Sequence, residues 1–200
     1  MERNEYSASM VKLSFWFSEF RKVIGLLNSG KSMEEIKELN KEDNIFSAPT
    51  SARGTQIFNA VSTRVKSLDE HFCRVFEGSD IATQKIIALI AIMNVDSLFF
   101  DFVYEVYREK LIIGAGTMAD SDIRIFFKNK QLQSDKVAGW TDYTIKRLGT
   151  CYKTILMEAG LTDRSTGDRE LLKPILDIAL ENCLKDHGME LFIHALTGVR

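Results

Sequence analysis

The segment 81–110, IATQKIIALIAIMNVDSLFFDFVYEVYREK, constrains the fold more than any other part of this chain. It is the most apolar stretch, and it lies near the middle. Asn94, Asp96, Asp101, Glu105 and Arg108 interrupt it, so no continuous run reaches the roughly 20 apolar residues that a membrane span needs. The breaks predict two buried helices instead. The first is capped by Ser79 or Asp80 and ends near Asn94. The second starts at Asp96 or Ser97 and runs to Leu111, where Gly114 and Gly116 stop it. Leu98, Phe102, Glu105 and Glu109 line one side of it, while Phe99, Val103, Val106 and Tyr107 fall on others. A helix apolar on most of its circumference is buried on most of it. The pair is therefore expected to be the post on which both ends of the chain pack.

Helical spacing dominates the rest. Of 200 residues, 45% are hydrophobic and only two are proline, which allows a substantial core with little strand-like alternation. Residues 10–28 carry Leu13, Trp16, Phe17, Phe20, Ile24 and Leu27 at helical spacing, ended by Asn28-Ser29-Gly30. Ser32 with Glu35 three residues on is a capping box for a short acidic helix over 33–41. A linker with Pro49 leads to a cap at Thr50 or Ser51 and a helix over 52–68, with Phe58, Val61, Val65 and Leu68 inward. A short helix over 69–77 closes at Gly78. Beyond the central pair, Asp120 or Ser121 caps a helix over 122–131 with Ile123, Phe126 and Phe127 inward. Thr141 is a good N-cap for 142–159, whose stripe is Ile145, Leu148, Tyr152, Ile155 and Ala159. The turn at Ser165-Thr166-Gly167 makes 161–172 either a small wing or a loop. Pro174 suits the first turn of a helix running to Lys185. His187-Gly188 breaks it before a last helix over 189–196.

The formal net charge of −2 gives no global case for nucleic acid or an anionic membrane. The local pattern does. A short helix, a capped turn and a longer helix with a basic outer face occur twice, at 33–41 with 52–68 and at 122–131 with 142–159. That is the helix-turn-helix arrangement, whose second helix offers its N-terminus and outer face to a major groove. Small or polar residues there permit close approach, and Arg or Lys meets phosphates and base edges. The candidate DNA contacts are Arg53, Gln56, Arg64 and Lys66 in the first copy. In the second they are Thr141, Thr144, Lys146, Arg147 and Lys153. Both connectors exceed the tight turn of a standard motif, and helical proteins use similar pairs simply to pack.

Catalytic and metal patterns are weak by comparison. His71 and Cys73 stand two apart and cannot face one way on a helix. Glu190 and His194 can pair, with no further ligand close in sequence. Gly114-Ala115-Gly116 follows a helix, which is not the setting of a phosphate-binding loop. The expectation is no enzyme, no cofactor and no metal. Cys73, Cys151 and Cys183 are odd in number and far apart, which suits a reducing cytoplasm. The start of the chain lacks a secretory signal core. The expected fold class is all-α: a compact multi-helix protein with two helix-turn-helix units around a central buried helix pair. The divisions are 1–78, 79–116 and 117–200, the outer two carrying the helix-turn-helix units. The expected protein is cytoplasmic, touches no membrane and is a monomer. A helical adaptor or an RNA-binding bundle would also suit the pattern.

Particular residues add a resemblance. Tyr6-Ser7-Ala8-Ser9, Gly30-Lys31-Ser32-Met33-Glu34-Glu35-Ile36, Asn44-Ile45-Phe46 and Asp101-Phe102 stand in order along the chain. Glu109-Lys110-Leu111, Trp140-Thr141 with Thr144, and Glu158-Ala159-Gly160-Leu161 follow. This set, spread over residues 6–161, resembles the BrxA family of the bacteriophage exclusion (BREX) phage-defence systems. The resemblance implies an all-α protein with two helix-turn-helix units that binds double-stranded DNA without enzymatic activity. Its expected partners, beyond the DNA, are the methyltransferase and other BREX proteins of the same defence operon.

Overall fold

The structure, a computed structural model, describes residues 4–199. Four helices form the first half: α1 (Phe17–Asn28), α2 (Met33–Asp43), α3 (Ser51–Lys66) and α4 (Glu70–Gly78). The central pair is α5 (Ile81–Val95) and α6 (Ser97–Ile112). Next come strand β1 (Thr117–Met118), α7 (Asp120–Gln133), the one-turn α8 (Asp135–Ala138) and α9 (Asp142–Ala159). Strand β2 (Arg169–Glu170), α10 (Ile178–Asp186) and α11 (Glu190–Thr197) complete the chain. The fold is all-α, as expected, with one small strand pair.

The central helices are the post. Every residue over 86–93 is buried. Helices α3, α4 and α9 pack on α5, while α7 and α11 pack on α6. Among the described residues no single helix is long and apolar enough to cross a membrane; α5 and α6 pass that test only together, bent by 116° at Asp96. Asp96 makes the corner, accepting from Phe99 N (2.9 Å) as the cap of α6. Other expected caps form as well: Thr50 takes Arg53 N (3.2 Å), Asp80 takes Thr83 N (2.8 Å), and the Ser32–Glu35 box closes in both directions. Each of these caps stabilises its helix by about 1 kcal/mol. The expected cap at Asp120 or Ser121 does not form, because both residues lie inside α7.

Over Val103–Tyr107, α6 widens into a π turn that contains Glu105. Beside it Lys130 of α7, only 2% exposed, donates to Asp101 Oδ2 (2.9 Å) and Glu105 Oε1 (2.6 Å). Tyr6 O–H donates to the same Asp101 oxygen (2.5 Å). One buried ammonium thus ties Tyr6 near the N-terminus, the central pair and α7 together. A lysine is seldom this deeply buried without a partner. The spacing Ile123, Phe126, Phe127, Lys130 puts it on the apolar face.

Several boundaries differ from the sequence reading, and three of the differences have a clear physical cause. Residues 10–16 do not extend α1: Ser9–Lys12 is a 3-10 turn, and Trp16 is left-handed at φ 51°. The carbonyls of this strap are taken by α3, through Arg53 and Gln56 to Lys12 O (3.3 and 3.2 Å) and Arg64 to Phe15 O (2.8 Å). Helix α7 starts two residues early, because Asp122 takes Ala119 N (2.8 Å) from inside the first turn. Pro174 opens no helix. Asp177 caps α10 by accepting from Ala179 N (2.8 Å), and the chain before it leaves Ile175 97% exposed.

The segment 161–172 is a hairpin. Thr162 bridges Leu171, and Asp163 N donates to Glu170 O (3.1 Å). Its return arm also pairs antiparallel with β1, Thr117 opposite Glu170 and Met118 opposite Arg169.

Candidate nucleic-acid interface

Helix α9 is the best-presented of the predicted helices. Thr141 Oγ1 accepts from Thr144 N (3.2 Å) and sits 3.0 Å from Thr144 Oγ1. Leu148, Tyr152 and Ile155 point inward, with Tyr152 wedged against Phe99 and Phe127. Helical spacing then turns Lys146, Arg147 and Thr150 outward, and all three are exposed. Gly149 lets α7 approach closely: a Cβ there would lie 2.9 Å from Ile123 Cγ2.

A groove flanks α9 on each side. The first, about 490 Å³, lies between α9, α3 and the strap, and holds Lys12, Arg53, Gln56, Arg147 and Glu158. The second, about 450 Å³, lies between α9 and α7. Its floor is Ile123, Phe127 and Gly149, and its rim carries Arg124, Lys128, Lys146 and Lys153 against Asp120 and Asp142. Thr150 borders both grooves. The structure therefore joins parts of the two predicted copies, Arg53 and Gln56 with Arg147, along one cleft.

The individual candidates fare differently. Lys146 and Arg147 are exposed, as is Lys66 in the last turn of α3. Lys153 is committed to Asp120 (2.6 Å), and this pair holds the Asp120 carboxyl below its ordinary range. Arg53 is half-buried, donating to Gln56 Oε1 (2.6 Å) with its guanidinium 5.0 Å from the Trp16 ring. Arg53 and Gln56 therefore clamp the strap. Thr141 and Thr144 serve the cap. Arg64 is corrected: it is 2% exposed, bonded to Phe15 O and 5.6 Å from the Trp16 ring, so it is a core residue. Burial lowers its pKa to about 10, against the pull of Asp96. The stripe Ile57, Val61, Arg64, Leu68 already carried that signal. The sequence reading left Lys12, Arg124 and Lys128 out of the candidate set, and the grooves add them. For Lys12 no sequence signal exists, because the strap that positions it is held by tertiary contacts.

Comparison with known proteins agrees with this architecture. The sequence model of the BrxA family matches residues 4–188. A BREX protein BrxA from Bacillus cereus (strain H3081.97) is 38% identical over 193 residues, covering 96% of each chain. An uncharacterized protein from Magnetospirillum magneticum, known from its crystal structure, superposes with a TM-score of 0.81 over 98% of this chain and all of its own. At 16% identity that likeness concerns the fold alone. A family match over nearly the whole length, with a close relative of equal extent, means that the chain belongs to the BrxA family and is an accessory protein of the BREX phage-defence system.

Proposed function

We propose that the protein binds double-stranded DNA, acting in the cytoplasm without catalysis of its own, with α9 as the recognition helix. The observation that carries this is the exposure of Lys146 and Arg147 on the first turns of α9, between two grooves whose far walls supply further cations. The helix N-terminus there adds a favourable field for phosphate. The element order also supports the reading: α6, β1, α7, α9 and then a hairpin whose return arm pairs with β1 is the order of a winged helix-turn-helix unit. The connector between α7 and α9 is not a tight turn, since α8 fills it. The α2–α3 pair contributes less, through Lys66 and the clamped Arg53 and Gln56.

The test is anisotropy with a labelled duplex across a salt series. About five phosphate contacts give a log K against log salt slope of roughly −4 to −5. Lys146→Ala with Arg147→Ala should weaken binding and flatten the slope by up to about two. Its melting should stay within about 0.5 kcal/mol of the parent, because both sites are exposed. A double variant that binds with the parent's affinity and slope removes α9 from the interface. Salt-independent binding, or none at low salt, would favour the adaptor reading, for which the exposed Ile175 and Ile178 (97% and 76%) are the supporting surface.

A further inference from the structure

Helix α10 packs on α4, and the contact gathers three side chains from distant parts of the chain. His71 stands in the first turn of α4. Cys183 and His187 stand four apart at the end of α10, on one face. One ligand atom from each lies within 4.8 Å of the other two, and Cys183 Sγ is 3.9 Å from His187 Nδ1. Tetrahedral zinc, with bonds of about 2.0–2.3 Å, sets its donors roughly 3.3–3.8 Å apart. Small rotamer adjustments close the set to that spacing.

Asp69 provides an independent feature of the same place. Its Oδ1 accepts from His71 N (3.0 Å) and Phe72 N (3.2 Å), which fixes the carboxylate rigidly at the head of α4. Its Oδ2 is hydrogen-bonded to His187 Nε2. A histidine whose one N–H is held by a carboxylate has its other nitrogen oriented and made more basic for a metal. Here that other nitrogen is Nδ1, the one facing Cys183 Sγ. With a proton on Nδ1 the ring instead donates to Cys183 O (2.6 Å), closing the end of α10.

We propose that His71, Cys183 and His187, with a water in the fourth position, form a tetrahedral zinc site that clips α10 to α4, with Asp69 orienting His187. One sulfur and two imidazoles suit this ion and are poor ligands for calcium or magnesium. Binding exchanges the metal for the thiol proton of Cys183 and the Nδ1 proton of His187, which pass to solvent. Cys73, the neighbouring thiol, lies outside the cluster.

The reduced full-length chain is stripped of metal, titrated with cobalt(II) and then displaced with zinc. One equivalent of cobalt should produce a thiolate charge-transfer band and the visible bands of a tetrahedral site, and zinc should bleach both. Cys183→Ser should abolish the charge-transfer band. His71→Gln, at a half-buried position, should weaken cobalt binding by about tenfold or more. Cys73→Ser and Cys151→Ser should keep the parent spectrum. Circular dichroism verifies that each variant folds, and His71→Gln serves if Cys183→Ser does not. The proposal is overturned if no band appears at stoichiometric cobalt, if the band survives Cys183→Ser or is lost in Cys73→Ser, or if His71→Gln binds cobalt like the parent. The cluster is then a protonated His187 bridging Asp69 and the end of α10.

Discussion

Asp96→Asn should make the protein more stable at neutral pH, although it removes an acidic partner of a buried arginine. Asp96 sits at the bend between α5 and α6 with 8% exposure. Burial raises its pKa from 3.8 to about 6; hydrogen bonds from Phe99 N and Leu98 N and the attraction of Arg64 pull it back only partly. Because the folded pKa lies above the unfolded one, the folded state binds the proton more tightly. The resulting stability is fully present below about pH 4 and is lost as pH rises through about 6. At about 1.36 kcal/mol per pH unit, the ionised carboxylate costs the fold about 3 kcal/mol at pH 7. Asparagine is an equally good cap, so the bond from Phe99 N survives. At 2–4 °C per kcal/mol for a chain of this size, Tm should rise by roughly 6–12 °C at pH 7. Urea unfolding of parent and variant from pH 4 to 7.5 isolates this residue, since every other group titrates in both. The difference should be near zero at pH 4 and open between pH 4 and 6. A difference that is flat with pH, or a variant less stable at pH 7, would show that Arg64 and the cap outweigh burial.

Two further substitutions probe packing. Phe102→Ala removes a fully buried ring that touches Phe126 and Tyr152, and urea unfolding should show a loss of about 3–5 kcal/mol. Gly149→Ala forces a Cβ to 2.9 Å from Ile123 where α7 crosses α9, and should cost about 1–3 kcal/mol. A neutral Gly149→Ala result in the same assay would mean that α7 can slide along α9.

Legibility divides along local and non-local lines. Caps and helix stops were readable because they depend on residues within four of one another: Ser32 with Glu35, Thr141 with the amide of Thr144, and Asn28-Ser29-Gly30 at the end of α1. The central pair was readable because its apolar residues wrap all round. Burial of Arg64 and Lys130 was readable in principle, since each falls on an apolar stripe, but residue type argued for the surface. What makes burial tolerable is a partner far away in sequence. Lys130 meets Asp101, Glu105 and Tyr6, and Arg64 meets Phe15 O and the Trp16 ring. The strap defied the pattern for the same reason. Leu13 and Trp16 continue the helical spacing of Phe17 and Phe20, yet α3 side chains claim the strap's carbonyls before another turn of helix can form. The joint cleft of Arg53, Gln56 and Arg147 required knowing how α3 and α9 pack on α5, which no local pattern encodes.

A chain of net charge −2 can bind DNA only through the field close to the contact, because exposed charges beyond about 8–10 Å are screened in physiological salt. Within that range the acids of the α7–α9 groove matter most, and Asp120 is the one that neutralises a groove cation directly. Its pair with Lys153 spans 2.6 Å, with the two side chains 57% and 18% exposed. An ion pair this open contributes at most about 1 kcal/mol to the fold. Asp120→Asn should therefore leave Tm nearly unchanged while releasing Lys153 toward phosphate and removing one repulsive charge. Duplex affinity at low salt should rise severalfold, and the salt slope should steepen by about one, as one more counterion is released. Anisotropy at matched salt concentrations reads both quantities. If the variant binds no tighter than the parent and keeps its slope, the α7–α9 groove does not face DNA, and the contact must lie along the cleft of Arg53 and Arg147 instead.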